Sequence, residues 1–490
     1  RRDSDASEQK PSAAGAGADA GAEAGAGAGG GATGEARDGR GDSELSTSSD
    51  KGFLSQLLQD GSLAWVSTSS AGLRGAHERG PSGLPFRLLA EAGGMKFTDK
   101  QRWFRSQLQR FKVPYEQGHV TVSVRRANVL EDSFTAIMSL TPFDMRRVFR
   151  FTFIGEPGLD AGGLTREWFH TTAQALLNAE TGLFLTTPGS TLTYTVNPFS
   201  GVANEAHLQY FLFAGRFIGK ALLDAQVIPT ALCLPLLKQV QGVPVTLSDL
   251  QFLDPSLFKS LKWIKENSGV DALGLDFTVT KDVFGEKKVI PLKPGGEDID
   301  LTDENKSEYL HLRLRHEVLD AIAPQLSFFL RGVYEVIPQD LLSVFDPFEL
   351  ELLLCGLPAI DVGDWRRHTR MSGLLAPPPG SSGVEHRVVG WFWEVIASLS
   401  HADRARLLQF ATGTSRVPAE GFKGLTSYDG RPCRFTLNGV SPPATDRGRL
   451  VVAHSCFNRL DVPLYSSKDQ LSQAITIVLR NEDALTFGEE

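Results

Sequence analysis

Large apolar side chains are distributed unevenly along this chain of 490 residues. The first fifty residues contain only one of them, Leu45, and residues 12–34 are mostly Ala and Gly. A segment of this composition cannot bury enough apolar surface to offset the conformational entropy that it would lose on folding. We therefore predict that residues 1–94 are a disordered, low-complexity region and linker, and that folded structure begins at Met95.

From Met95 onward the apolar residues follow the periodicities of helices and strands. Asp346, Pro347 and Glu349 form a typical helix start, and Gly356 is a typical helix end. Ser467 and Gln470 can form a capping box before an apolar stripe at helical spacing. The spacing also predicts helices over 100–111, 164–177, 208–223 and 391–410, and strands over 120–124, 149–153 and 450–453.

Residues 372–383 interrupt this pattern with Pro, Gly and Ser. Such a stretch combines a stiff polyproline spacer with a flexible tail, although an ordinary surface loop has the same composition. We place a boundary there, with one folded region at 95–371 and a second at 384–490. A hydrophobic content of 41% is enough for a large core and for more than one domain.

Charge and cysteine content limit the classes of function. The net charge of −8 gives no electrostatic reason to expect binding to nucleic acid or to an anionic membrane. Without a continuous apolar run of about 18 residues, no membrane insertion is expected. The four cysteines, Cys233, Cys355, Cys433 and Cys456, lack the spacing of metal ligands or of a disulfide framework, which fits a reducing compartment. Because the chain starts without Met, we expect a piece of a longer protein.

Cys456 is the best candidate for a reactive group. It follows the predicted strand at 450–453 and lies two residues after His454. A cysteine thiolate can hold an acyl group as a thioester that still reacts with an amine, and a nearby imidazolium favours the thiolate. The alternative is a buried structural cysteine that packs as a small hydrophobic side chain. Its position alone leaves both interpretations open.

The residues around Cys456 favour the first interpretation. Segment 454–461, His-Ser-Cys-Phe-Asn-Arg-Leu-Asp, resembles the catalytic segment of HECT-type ubiquitin-protein ligases, with Ser455 in place of the usual Thr. The resemblance runs from about Met95 to Glu490 and is strongest to the ligases that carry WW domains, although no WW pattern is present. Further motifs of that family occur in the same order at 158–169, 197–198, 213–221, 349–353 and 408–418.

The resemblance implies a bilobal α+β fold. A large, mostly helical N-lobe would bind a ubiquitin-conjugating enzyme, residues 372–383 would form a flexible hinge, and a smaller α/β C-lobe would carry Cys456. The implied activity is a ubiquitin transferase: Cys456 accepts ubiquitin as a thioester and passes it to a lysine of a protein substrate, without a metal or small cofactor. The implied location is the cytoplasm, or also the nucleus.

The resemblance also assigns roles to individual residues. His454 would position or polarise the site, Asn458 and Asp461 would hold the loop, and Phe487 would orient the loaded C-lobe for transfer. The groove for the conjugating enzyme is implied at Leu261, Ile264, Leu275, Phe277 and Tyr309, with plain core packing as the alternative for each.

Some residues depart from the family pattern, and others bear on rival functions. Lys265 stands in the groove where the family more often has Leu. A second, non-covalent ubiquitin site is not predicted, because residues 178–181 contain no aromatic side chain, although Phe284 matches its other anchor. The rival functions are a thiol hydrolase that uses Cys456 with His401 or His386, and a catalytically silent scaffold that binds conjugating enzymes.

Overall fold

The computed structural model describes residues 52–67, 79–156, 163–188, 193–229, 231–283, 285–357, 359–377, 386–426, 432–441 and 450–480, and for Asp282, Val283 and Cys456 it describes the backbone alone. Buried apolar side chains in these ranges form two hydrophobic clusters. The first core extends from Leu89 to Cys355, and the second core extends from Ile360 to Val478. Within the same ranges, no helix has the length and apolar content needed to cross a bilayer.

The part of the chain that forms the first core is mostly helical, with four small sheets. Its helices are α1 (Phe86–Gly93), α2 (Phe97–Leu108), α3 (Val129–Met138), α4 (Gly163–Leu176), α5 (Ser200–Ala203), α6 (His207–Leu223), α7 (Leu234–Gln241), α8 (Pro255–Glu266), α9 (Lys306–Val318), α10 (Ala323–Val336), α11 (Gln339–Leu342) and α12 (Pro347–Cys355). The sheets are an antiparallel pair of β1 (Phe53–Leu57) and β2 (Leu63–Ser67), a parallel pair of β3 (His119–Val124) and β4 (Val148–Phe153), a sheet of β5 (Phe184–Thr186), β6 (Thr193–Val196) and β7 (Ala231–Leu232), and an antiparallel pair of β8 (Thr278–Val283) and β9 (Glu286–Pro291).

Helices α6 and α10 cross at the centre of the first core. A Cβ atom on Gly215 of α6 would lie 2.0 Å from the carbonyl oxygen of Phe329, so only glycine permits this approach of the two backbones. Helix α4 packs on α6 through Trp168 and Phe217, whose ring centroids are 5.5 Å apart. Trp168 is fully buried, and its indole N–H donates to the Ser133 hydroxyl at 2.8 Å. These contacts anchor α4 in the middle of the first core.

The segment before Met95 is folded where the structure describes it, so the prediction of a disordered linker over 1–94 is wrong for residues 52–67 and 79–94. Phe53 stacks on Trp65 with ring centroids 5.3 Å apart, and Phe53 also packs on His311 of α9 at 4.3 Å. The Phe53 N–H donates to the Val245 carbonyl at 3.1 Å. The few apolar side chains of this segment complete the first core instead of forming a core of their own. Residues 1–51 and 68–78 lie outside the described residues.

The second core packs four helices against one mixed sheet. The helices are α13 (Val362–His368), α14 (Arg387–Ser398), α15 (His401–Thr412) and α16 (Lys468–Arg480), and the strands are β10 (Arg370–Gly373), β11 (Thr436–Val440), β12 (Val452–His454) and β13 (Arg459–Pro463). The strand order is β10-β11-β13-β12, with the first two pairs parallel and the last pair antiparallel. Trp365 of α13 is fully buried and stacks on Phe422 at 4.9 Å.

The two cores divide at an earlier point than composition indicated. The second core already includes Ile360 and Trp365, and β10 is the edge strand of its sheet, whereas the sequence assigned these residues to the first region and to the hinge at 372–383. The chain passes between the cores at Gly356, which has a φ of +67°, and at Leu357, whose N–H donates to the Val417 carbonyl at 2.7 Å. A run of Pro and Gly predicts a loop, but it does not show which core the flanking residues join.

Most of the local sequence signals are confirmed. The Asp346 carboxylate accepts from the N–H groups of Phe348 and Glu349 at 2.8 and 2.9 Å, and the helix that it caps ends at Gly356. Leu471 and Ile475 of α16 are buried as the apolar stripe predicts. The predicted helices over 100–111, 164–177 and 208–223 correspond to α2, α4 and α6, and the strands over 120–124 and 149–153 correspond to β3 and β4.

The single helix predicted over 391–410 is wrong. Two helices, α14 and α15, occupy this segment, and the chain leaves the helical conformation at Leu399. The Ser400 hydroxyl accepts from the Asp403 N–H at 3.1 Å and so caps a new helix. Apolar residues continue at helical spacing on both sides of the break, so periodicity alone did not reveal it.

Candidate active site

Cys456 lies on the tight connection between the antiparallel strands β12 and β13. Ser455–Phe457 form one 3-10 turn, and Asn458 closes it with a φ of +49°. This left-handed region is uncommon for residues other than glycine, and Asn is among those that adopt it most readily. The register then pairs His454 with Arg459 across the two strands. We call residues 454–459 the Cys456 loop.

The Asn458 side chain is completely buried beneath this loop. Its amide nitrogen donates to the carbonyl of Cys433 at 2.7 Å and to that of Thr426 at 3.4 Å. Its amide oxygen accepts a hydrogen bond from Arg166. Because both ends of the amide have partners, the end of the turn that carries Cys456 has a fixed position relative to the second core.

Asp461 makes polar contacts on the other side of the loop. Its carboxylate accepts from Arg459 Nε at 2.6 Å and from Asn438 Nδ2 at 2.8 Å, and its Oδ2 lies 3.2 Å from His454 Nε2. Partial burial acts to raise the pKa of Asp461, but the hydrogen bonds from Arg459 and Asn438 outweigh it, and the pKa is lowered. Asp461 is therefore ionised at neutral pH and can orient the His454 ring.

The surface around Cys456 is open and apolar. Phe457, the next residue, is 62% exposed, and Val452 on β12 is 44% exposed. Exposed large apolar side chains that lie close together can form a contact surface for another protein. The loop thus combines a buried polar support with an accessible outer face.

Arg166 is a further residue of this site that sequence reasoning did not single out. It belongs to α4 of the first core, yet its guanidinium donates to the carbonyls of Thr412, Ser455 (3.1 Å) and Thr426 (3.0 Å) and to Oδ1 of Asn458. The side chain is only 6% exposed. The only sequence signal was its place within the motif at 158–169, which gave no indication of its partners.

The other cysteines are poorer candidates for the nucleophile. Cys233 and Cys355 are buried in the first core, and burial raises the pKa of the Cys233 thiol and raises that of Cys355 to about 12. Thiols of this kind are almost entirely protonated at neutral pH and react slowly. Cys433 is partly exposed and supports Asn458 through its carbonyl. Among the described residues, no three His, Cys, Asp or Glu side chains converge as metal ligands would.

Comparison with known proteins identifies the family of this chain. The family model described as HECT-domain (ubiquitin-transferase) matches residues 170–488. The E3 ubiquitin-protein ligase UPL1 of Arabidopsis thaliana is 40% identical over 399 residues, which cover 80% of this chain and 10% of UPL1. The E3 ubiquitin-protein ligase pub3 of Schizosaccharomyces pombe is 38% identical over 394 residues, which cover 80% of this chain and 48% of pub3.

The chain belongs to the HECT family. It spans about a tenth to a half of the length of these relatives. Nedd-4 of Drosophila melanogaster is also similar, with 39% identity over 385 residues, which cover 77% of this chain and 37% of that ligase. The resemblance noted from the motifs is therefore confirmed at the level of the family.

The structure gives a mixed result for the five docking residues that the HECT resemblance implied. Leu261, Ile264, Phe277 and Tyr309 are all at most 6% exposed, and the rings of Phe277 and Tyr309 pack edge to face at 5.5 Å. Only Leu275 is accessible, with 39% of its surface exposed. Trp263 and Leu273, in the same stretch of α8 and the turn that follows it, are 46% and 42% exposed. Four of the five implied residues are therefore buried members of the first core.

The remaining implied positions differ in what the structure describes. Phe487 and Phe284 lie outside the described residues. His386 accepts the Val388 N–H at the start of α14, and His401 begins α15. The Cys456 loop meets α15 at its opposite end, near Thr412, which is about 16 Å from its first residue at 1.5 Å per residue. His401 is therefore not placed as the base of a thiol hydrolase.

Proposed function

We propose that this protein is a ubiquitin-protein ligase in which Cys456 carries ubiquitin as a thioester. The observation that carries this proposal is the Cys456 loop, in which the backbone of Cys456 lies on a turn that is supported by buried polar contacts and bordered by the exposed Phe457. Membership of the HECT family, whose description includes ubiquitin transfer, supports the same chemistry.

The reaction consists of two acyl transfers without a change in oxidation state. In the loading step, the Cys456 thiolate attacks the thioester carbonyl that links ubiquitin to the conjugating enzyme, and the thiolate of that enzyme leaves. In the discharge step, the neutral amine of a substrate lysine attacks the new thioester, the Cys456 thiolate leaves, and the lysine nitrogen loses a proton as the isopeptide bond forms. Each step is easier than a direct attack on a carboxylate, because a thioester is already activated.

The supporting residues act on orientation and charge. Asp461 is ionised and holds His454, the first residue of the Cys456 loop, on which the thiolate forms in both steps. Asn458 fixes the backbone that follows Cys456. A loop that keeps one conformation favours both reactions, because positioning the reacting atoms contributes a large part of such rate enhancements.

The proposal includes two lobes and defined partners. The first core, up to Cys355, would be the lobe that binds the conjugating enzyme, with Leu275, Trp263 and Leu273 as accessible contacts. The second core, from Ile360, would be the catalytic lobe, and the chain at Gly356 and Leu357 would belong to the hinge. Ubiquitin and protein substrates are the other partners, and a reducing compartment, the cytoplasm or the nucleus, would keep the thiol active.

The test is formation of a ubiquitin adduct that reducing agents cleave. Purified protein is mixed with activating enzyme, a conjugating enzyme, ATP and ubiquitin, and the products are separated with and without thiol. We expect an adduct that Cys456→Ala abolishes, that Cys456→Ser converts to a thiol-resistant ester, and that Cys433→Ser leaves in place.

Three results would contradict the proposal. An adduct that requires Cys433 but not Cys456 would show that the nucleophile lies outside the Cys456 loop. The absence of any adduct with a panel of conjugating enzymes, combined with binding to them, would favour the silent scaffold. Cleavage of ubiquitin conjugates by the wild-type protein would instead favour a thiol hydrolase.

A further inference from the structure

Arg166 connects the two cores directly at the Cys456 loop. Within the described residues Arg166 has four acceptors, of which the Ser455 carbonyl lies one residue before Cys456 and the Asn458 amide oxygen lies two residues after it. All four acceptors belong to the second core region, whereas Arg166 itself lies on α4, anchored at the centre of the first core. We call these four hydrogen bonds the Arg166 clamp.

The clamp depends on the shape of the guanidinium group. Arginine presents its N–H donors in a rigid planar fork, so acceptors in several fixed directions can be bound at once. A buried cation is costly unless its hydrogen-bonding capacity is used, so the clamp is stable only when the acceptors of the second core are in place. The backbones also approach closely, since a Cβ on Gly413 at the end of α15 would lie 3.2 Å from Arg166 Cβ. The clamp therefore selects one arrangement of the two cores.

In this arrangement the Cys456 loop is packed away from the proposed docking elements. The loop contacts α4 and α15, whereas α8 and α9 pack on each other and on the turns at 247–252 and 320–322. Leu275 and its exposed neighbours lie on the chain between α8 and α9. In the clamped arrangement the Cys456 loop contacts α4 and α15. Loading by a conjugating enzyme that is docked at Leu275 would need different contacts of the loop.

We propose that Arg166 is a positioning residue for the discharge step. It fixes the loaded Cys456 loop against α4, so that the thioester keeps one orientation while the amine of the acceptor lysine attacks. Loading does not use the clamp, because the loop then has to meet the conjugating enzyme. This inference rests on the proposed function. It assigns Arg166, a residue of the first core, to the discharge step.

The test separates the two steps in Arg166→Gln and Arg166→Lys. Cys456 is loaded with ubiquitin, the loading reaction is stopped, and decay of the thioester is followed after addition of an acceptor lysine. We expect loading rates like the wild type and discharge slowed by roughly 10- to 100-fold, the range that a small misplacement of reacting groups causes. Arg166→Lys should be impaired like Arg166→Gln, since one ammonium group keeps the charge but cannot replace both Nη1, which donates to Thr412, Ser455 and Asn458, and Nη2, which donates to Thr426.

Arg105→Gln is the matched control. Arg105 of α2 pairs with Glu420 of the second core region at 2.8 Å, so it is also a contact between the two regions, but it does not involve the Cys456 loop. It should discharge at the wild-type rate. Hydrogen exchange gives an independent readout: amides of the loop, 455–459, should exchange faster in Arg166→Gln, while those of α6 and α10 should not change. Asn458→Gly, which keeps the positive φ but removes the amide acceptor, should reproduce the discharge defect.

Three outcomes would overturn the inference. Discharge at the wild-type rate despite faster loop exchange would show that the clamp does not position the thioester. Faster discharge would make the clamp an inhibitory contact, and an equal loss of loading and discharge would show a general role in folding. If the wild-type protein formed no thioester on Cys456, the proposed function would fail instead, which is a different result from a loaded protein with an unaffected variant.

Discussion

His170 makes the helix that carries Arg166 sensitive to acid. It lies one turn after Arg166 on α4, is only 4% exposed, and has a pKa that burial lowers from 6.5 to about 4. The unfolded chain binds a proton on this residue below about pH 6.5, whereas the folded protein does so only below about pH 4. The stability from keeping His170 neutral is therefore complete above pH 6.5 and decreases as the pH falls towards 4. At about pH 5 the loss is about 2 kcal/mol.

The measurement is urea unfolding followed by tryptophan fluorescence at about pH 7.5 and about pH 5. Burial also lowers the pKa values of His311 and His316, so we compare the pH dependence of the wild type with that of His170→Leu, in which those two contributions remain. The wild type should lose about 2 kcal/mol more than the variant between the two conditions. His401→Gln, at an exposed histidine, should behave like the wild type. An equal loss in the wild type and His170→Leu would refute the assignment.

Two further predictions concern the separate steps of the proposed reaction. Leu275→Ala should slow loading of Cys456 by about ten-fold without changing the urea midpoint, because Leu275 is exposed; an unchanged loading rate would remove it from the docking surface. The buried Tyr309 is a poorer probe, since Tyr309→Ala should also lower stability by roughly 3–5 kcal/mol. Deletion of residues 487–490 should leave loading intact and slow discharge to lysine in a single-turnover chase; discharge at the wild-type rate would show that Phe487 is passive.

The parts of the fold that were predicted correctly depend on contacts between residues close in sequence. The cap at Asp346 and the stop at Gly356 involve neighbours within a helical turn, so their residue types predict them. The hairpin of β1 and β2 was missed because Phe53 packs on Val245 and His311, which occur far later in the chain. Composition shows that a segment has few apolar residues. It does not show that these few residues pack on a part of the fold that occurs much later in the chain.

The same limit applies to the site. His454, Cys456 and Asp461 lie within one short segment, so a single motif predicted them together. Arg166 precedes its hydrogen-bond partners Thr412 and Ser455 by 246 and 289 positions in the sequence. A local sequence pattern gives no sign of a contact over such a separation. The sequence did not predict which of the implied docking residues are buried and which are exposed, because buried and exposed apolar residues can have the same spacing.

The position of β10 determines where the second core can be cut from the rest of the chain. A fragment beginning at residue 384 would lack β10 and the buried Trp365, and β11 would become an edge strand with unpaired backbone groups. Exposed edges of this kind pair with other chains and lead to aggregation. A fragment that begins near Leu357 keeps the edge covered and the tryptophan in place. The shortest soluble piece that carries Cys456 therefore includes about 27 residues more than the composition of the chain indicates, the difference between 384 and 357.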